Sequence, residues 1–372
     1  MSLHQKYDRH AEQTLETLSA QFMHFSEKLC RGSSELYEHL AAAASKEEGI
    51  LKLALNVRGG QPAPNMYFGA VHYLLLSGTD HPLAKFYPSV SPDSYSRDYD
   101  EAFAQLQDFS RSYGDQIREI ISKRTVQSNE VRRAGLILPA LQEVMGRAGR
   151  FHLIDVGASA GLVMCVERFR YLYSNGAELG DPASPVVINC QLRGELEPPI
   201  GDSIPTPLSR IGLDLFPVDV ADPDEAAWVR ALIFADHVDR LPLFDAAAAV
   251  AKAAVLDLRA GDAGIVLPEV LSGLPDDSSP VCVLFSFVVN QAFADGRDTA
   301  RAILERASLS RPVFEVTLGD FGKRSTQLLF AEYRDGVRVA EAELAFIDPH
   351  GRWMEWTDAS GAVGCAAQGR PE

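Results

Sequence analysis

Phe151-His152-Leu153-Ile154-Asp155-Val156-Gly157-Ala158-Ser159-Ala160-Gly161-Leu162 is the stretch that decides the fold. Residues 151–156 form a short apolar run ending at a glycine, the pattern of a strand buried on both faces of a parallel sheet. Beyond Gly161, Val163, Val166, Phe169 and Leu172 recur at three-residue steps and predict a helix to about Tyr173. Only small residues lie between the two. They let the backbone pass close to a ligand, and the helix start is expected to offer it unpaired N–H donors.

Working outward, strand-like runs recur at residues 211–215, 254–258, 281–288, 314–318, 327–333 and 337–346. The last two are joined by Arg334-Asp335-Gly336, a hairpin-like turn. Helical spacing at 225–234, 244–253 and 300–307 separates the earlier ones. Alternation of strand and helix predicts an α/β fold, a mostly parallel sheet covered on both faces and closed by an antiparallel C-terminal hairpin. The proline-rich segment at about 175–209 holds one strand-like run, 186–190, and reads as an insertion.

Upstream the period is helical. Leu15, Leu18, Phe22, Phe25 and Leu29 place one apolar face within residues 6–58, and Arg58-Gly59-Gly60-Gln61-Pro62 breaks it. Further helices are predicted at 67–76, 101–123 and 129–145, the last with Ser128 as its N-cap. A loop carrying Pro82, Pro88 and Pro92 spans 77–98. The expected division is a helical cap at 1–125 and a sheet domain at 126–372.

Acidic residues outnumber basic ones by 51 to 35, a net charge of −16, and no lysine or arginine run interrupts that field. Phosphate backbones and anionic membranes are repelled by it, so a small-molecule substrate is expected, with no nucleic acid and no membrane. Apolar stretches such as 280–289 fall short of the ~20 residues of a span. The opening MSLHQKYDRHAEQT has no apolar signal core, which points to the cytoplasm. The five cysteines form no CxxC and the nine histidines no HExxH, so neither a disulfide framework nor a metal is expected.

Asp155-Val-Gly157-Ala-Ser159-Ala-Gly161 resembles the first motif of class I methyltransferases, an acid ending the first strand before a GxGxG loop, with serine in place of the middle glycine. Arg210-Ile-Gly-Leu-Asp214 resembles the second strand, whose terminal acid accepts the ribose diol, as a carboxylate can. Asp214 comes about 53 residues after Gly161, longer than the ~20 of a dinucleotide fold, and the insertion accounts for the excess. Leu258-Arg-Ala-Gly261-Asp262-Ala263 resembles the third-strand loop whose aspartate meets the adenine amino group. Pro280-Val-Cys-Val-Leu-Phe285-Ser286-Phe287 resembles the fourth strand, which ends beside the sulfonium.

The resemblance implies a Rossmann-like class I methyltransferase sheet that binds S-adenosylmethionine, as cosubstrate or substrate, through Asp155, Gly157, Ser159, Gly161, Asp214, Asp262, Ala263 and Phe285. Thr125-Val-Gln127-Ser-Asn129-Glu130-Val-Arg132-Arg133, Arg168-Phe-Arg-Tyr171 and Gly212-Leu-Asp214-Leu-x-Pro217-x-Asp219 resemble, over residues 67–293, a bacterial family of uncharacterised methyltransferase-like proteins. Some azetidine-2-carboxylate synthases resemble methyltransferases of this kind with a helical cap. Arg132 suits the carboxylate of the methionine end, and Asn129, Ser286 and Asn290 stand as candidate catalytic residues. The bland reading of Arg132 and Arg133 is a helix start with solvent-facing arginines. Phe287, Tyr67, Phe68, Tyr95 and Tyr99 are aromatic candidates for the sulfonium or simply core. Tyr171 and Tyr173 read as structural.

Displacement at the sulfonium carbon asks for positioning, a dry pocket and a nucleophile. Methyl transfer to a small-molecule acceptor is the expected reaction. Cyclisation to azetidine-2-carboxylate, releasing methylthioadenosine, is the alternative. A further alternative is a serine α/β-hydrolase using Gly157-x-Ser159-x-Gly161 as nucleophile elbow, with Asp262 or Asp320 and His350. A helical N-terminal region and the lack of a His-Gly-Gly loop speak against it. A degenerate fold that only binds a partner, with Ser159 marking a lost glycine loop, completes the set.

Overall fold

The strand β1 (His152–Val156) is buried at all five positions, as its unbroken apolar run requires. The computed structural model describes residues 13–127, 129–293, 296–322 and 326–357. Among them ten further strands join β1 in one sheet: β2 (Arg170–Tyr173), β3 (Glu178–Leu179), β4 (Val187–Arg193), β5 (Arg210–Asp214), β6 (Asp257–Ala260), β7 (Val281–Ser286), β8 (Val313–Gly319), β9 (Thr326–Arg334), β10 (Val337–Ile347) and β11 (Trp353–Trp356). Their order is β3-β2-β4-β11-β10-β9-β8-β7-β1-β5-β6. The strands β6, β5, β1, β7 and β8 are mutually parallel. From β1 the chain builds first towards β5 and β6, then returns to β7 and β8 on the other side. The carboxyl end of β1 is therefore a topological switch point, where open parallel sheets leave a crevice.

The antiparallel hairpin β9–β10 follows as expected. Asp335 and Gly336 both adopt positive φ, 52° and 81°, the geometry of a two-residue hairpin turn. Two expectations fail nearby. The helix predicted to Tyr173 is a short 3₁₀ stretch, Leu162–Arg168, followed by β2. Its three-residue spacing overlaps a strand alternation that buries Tyr171 and Tyr173 on one face. Their hydroxyls donate to the carbonyls of Val166 (2.7 Å) and Gly135 (2.8 Å), so both are structural. The segment 175–209 is no excursion from the sheet either. It carries β3 and β4, and β4 joins β2 to β11.

By its packing the chain forms two compact units, Met1–Ser128 with Asp219–Asp245, and Asn129–Val218 with Ala246–Glu372. A single cut near residue 125 misses the segment 219–245. Trp228 in that segment packs against Gly69, where a Cβ would come within 3.2 Å of its ring, and its indole N–H donates to the Thr125 carbonyl at 2.8 Å. The core of the helical unit is aromatic: Phe25 stacks on Phe68, and Tyr37 on Phe234. Tyr67 and Phe68 are buried in it. Tyr95 is exposed, and Tyr99 stacks on His39. No helix of the described residues is long and apolar enough to cross a membrane.

In the sheet unit, Ile154, Val156, Leu213, Val283 and Phe285 pack with Leu267 and Leu304 from the helices Ala263–Ser272 and Arg297–Ala307. Gly212 of β5, paired with Asp155, is the tight point: a Cβ there would lie 2.5 Å from Leu258 Cδ2 and 2.8 Å from Ala158 Cβ. The leucine end can swing away, whereas Ala158 Cβ moves only with the loop. Gly212→Ala is therefore expected to cost ~1–3 kcal/mol in urea unfolding, the usual cost of overpacking. An unchanged midpoint would show that the loop is not held at this spacing.

Candidate functional site

Five successive backbone N–H groups build the loop after β1, and each has a partner inside the protein. Gly157 and Ala158 donate to the Leu213 carbonyl (2.7 and 3.1 Å), and Gly161 to that of Ala158 (2.7 Å). Ser159 donates to Asp214 Oδ2 at 2.9 Å, and Ala160 to Asn129 Oδ1 at 3.2 Å. The unpaired donors expected here are thus spent at residues 157–161. What the loop offers instead is close approach. Gly157 has φ 79° and no room for a Cβ, which would meet Val288 at 2.8 Å.

Ser159 itself adopts φ 50°, the left-handed conformation that glycine takes most easily. Its strain is offset on three sides. The N–H binds Asp214, the Oγ accepts from Asn129 Nδ2 at 2.8 Å, and the carbonyl accepts from the Val218 N–H at 3.1 Å. Serine therefore keeps the backbone shape of the middle glycine. No histidine is among its partners, and the side chain is buried, so nothing activates it as an elbow nucleophile.

Three aspartates stand at or just beyond the carboxyl ends of β1, β5 and β6. Asp155 is 1% exposed, and neither of its oxygens has a hydrogen-bond partner. Burial pushes its carboxyl up to about 8; the charge of Asp214 adds to the rise and that of Arg133 opposes it. Asp214 is half-buried and accepts from the Ser159 and Phe216 N–H groups, one on each oxygen. Each oxygen keeps a further lone pair. Gly261 donates to the Asp214 carbonyl at 2.9 Å, which sets Asp262 beside it. Asp262 is buried and caps the helix Ala263–Ser272, accepting from the Gly264 N–H at 2.8 Å, and Ala263 is the buried first residue of that helix.

On the other flank Phe287, just past β7, has φ 61°, rare for an aromatic residue. Such outliers persist only where surrounding structure holds them, and they gather at functional sites. Its N–H binds the Leu318 carbonyl at 2.8 Å, and the Arg133 guanidinium lies 4.1 Å from its ring centre. Arg133 is buried and also donates to Ser286 Oγ (3.3 Å) and to the Pro349 carbonyl (3.0 Å). Behind it the buried Glu130 faces His350, with Oε2 3.5 Å from Nδ1.

The predicted residues thus fall into groups. Asn129, Ser159 and Asp214 are joined by direct hydrogen bonds, and Asp155 lies within the field of Asp214 and Arg133. Ser286 meets Arg133. Phe285 is corrected: it is fully buried, edge-on to Phe293 in the core. Asn129 precedes its helix, which begins at Arg133 with Arg132 as N-cap, because Asn129 is drawn onto the loop. The predicted N-cap Ser128 and the side chain of Asn290 lie outside the described residues. Sequence reasoning missed the pairing of Glu130 with His350 and the backbone of Phe287. Nothing in the sequence marks either. Among the described residues no group of three or more His, Cys, Asp or Glu is placed to hold a metal ion.

Residues 19–356 match the model of a family described as "Uncharacterized protein conserved in bacteria (DUF2332)". No curated protein matches the chain.

A carboxyl raised by burial binds a proton in the folded state that the unfolded chain releases at lower pH. Its contribution is therefore present below an unfolded value near 3.8 and is lost as pH rises to about 8. Asp155→Asn should remove that slope. In urea titrations from pH 4 to 9 it should gain on the wild type by on the order of a few kcal/mol across this window. Parallel profiles would show that Asp155 is ionised throughout.

Proposed function

We propose that this chain, which belongs to the DUF2332 family, binds S-adenosylmethionine in the crevice at the carboxyl ends of β1, β5 and β6. The reaction proposed is transfer of the methyl group to a small-molecule acceptor. One observation carries the reading: the crevice is bordered by three aspartates, while the five loop N–H groups that would hold a phosphate are already paired. Phosphate sites at such a loop need those donors free. S-adenosylmethionine has no phosphate and carries a sulfonium and an ammonium, so acids attract it. The strand order β6-β5-β1-β7-β8 agrees with the 3-2-1-4-5 order of nucleotide-binding sheets.

In this reading the free lone pairs of Asp214 accept the ribose hydroxyls, and Asp262 meets the adenine amino group. Gly157 and Gly161 hold the loop close on Val288 and Leu256, where a Cβ would not fit. Arg132 supplies positive charge for the carboxylate at the methionine end. The sulfonium points towards Ser286 and Phe287, where the β7 strand ends. Asn129 acts through the loop, as a positioning residue rather than a group that touches the reacting atoms.

Calorimetry with S-adenosylmethionine, S-adenosylhomocysteine, ATP and NAD tests the reading. The two phosphate-free adenosyl ligands should bind and the phosphate-bearing ones should not. Asp214→Ala should weaken binding by ~1–3 kcal/mol, the worth of charge-assisted hydrogen bonds. Asn129→Ala loosens the same loop without removing the ribose acceptor, so it should weaken binding less. Binding of ATP or NAD in preference to S-adenosylmethionine would contradict the proposal.

A further inference from the structure

We infer that two copies of this chain associate through the open edge of the sheet, β6 pairing antiparallel with β6 about a two-fold axis at Leu258. The inference is independent of the ligand proposed above.

Among the described residues β6 ends the sheet and is paired on one side only, with β5. The register decides which of its backbone groups are used there. Gly261, just beyond the strand, donates to the Asp214 carbonyl at 2.9 Å. Backbone direction alternates along a strand, so Asp257, Arg259 and Gly261 turn their N–H and C=O groups to β5. Those of Leu258 and Ala260 turn to the open edge. An edge so presented is a template for another strand. When Leu258 stands opposite Leu258 of a second copy, the two exchange both N–H···O=C bonds, as the hydrogen-bonded pairs of an antiparallel ladder do.

Charged side chains on an edge strand usually discourage such pairing. Here their order favours it. Asp257 and Arg259 share one face of β6, are about half-exposed, and bind each other at 2.8 Å. Leu256 and Leu258 turn to the other face, where a Cβ on Gly161 would meet both. About an axis at Leu258, Asp257 of each copy comes opposite Arg259 of the other, in the closer, non-hydrogen-bonded kind of pair. An axis at Asp257 or at Arg259 sets like charges against each other, which is destabilising. The order Asp-Leu-Arg therefore selects one register, and a second copy of the chain as the partner. Two exposed apolar residues flank the strand. Val255, 88% exposed, precedes it, and Ile265, 61% exposed, follows in the first turn of the helix Ala263–Ser272. Antiparallel pairing sets the leading end of one β6 beside the trailing end of the other, which brings Val255 of each copy towards Ile265 of its partner.

Sedimentation equilibrium of the full chain over a range of concentrations tests this. Physiological salt is used, because the net charge of −16 drives two copies apart at low ionic strength. Wild type should show the mass of two chains. Arg259→Asp sets aspartate against aspartate, and Asp257→Arg sets arginine against arginine, each at two symmetry-related places. Either should weaken the dimer about tenfold or more. An equimolar mixture of the two variants should recover it, because every facing pair is again opposite in charge. The ion pair within one chain is broken in both variants, so a role confined to that pair predicts no recovery on mixing. Ala260→Pro removes an N–H turned to the open edge and spares those turned to β5, and it too should dissociate the dimer. A wild type that is monomeric at every concentration overturns the inference. So does a dimer that withstands the charge variants or Ala260→Pro, and so do single variants that dissociate and fail to recover when mixed.

Discussion

The hydrogen bond from the Ser159 N–H to the Asp214 carboxylate, 2.9 Å across the switch point, is the constraint on which the site depends. It ties the loop after β1 to the end of β5 and holds a non-glycine residue at positive φ. The Leu213 carbonyl and the Asn129 amide complete the clamp from two further directions. A loop so fully satisfied has no donors left over. The same clamp therefore fixes the shape of the loop that borders the crevice.

Electrostatics follow from that geometry. Asp155 is set deep beside Asp214, whose charge adds to burial in raising the Asp155 carboxyl. The positive charge of Arg133 opposes this rise at Asp155, and Arg133 is itself held by Ser286, Pro349 and the Phe287 ring. On the proposed reading, a cationic, phosphate-free ligand suits this crevice better than a nucleotide phosphate. The net charge of −16 acts in the same sense at long range.

Much of this frame was legible in the sequence. Buried parallel strands write themselves as unbroken apolar runs, which is why β1, β5, β7, β8 and the β9–β10 hairpin stood out. The strand β3 has only two residues, and β2 shares its residues with a helical spacing, so that edge of the sheet read as an insertion. The helix Ala263–Ser272 was obscured by Pro268 within it. At the site, the acids and glycines were visible as residue types. Their partners were not, because the clamp joins positions 30 and 55 residues apart. Sequence distance hides such bonds, and a positive φ at serine or phenylalanine leaves no mark in the sequence. Phe285 shows the converse: on a strand buried on both faces, a residue at the right end can still face the core.

The most direct test of the account is a crystal structure of the protein with S-adenosylhomocysteine. The account predicts the nucleoside at the carboxyl ends of β1, β5 and β6, with its ribose hydroxyls within hydrogen-bond distance of Asp214 and its sulfur towards the end of β7. A ligand bound elsewhere, or a crevice that stays closed at saturating ligand, would contradict it.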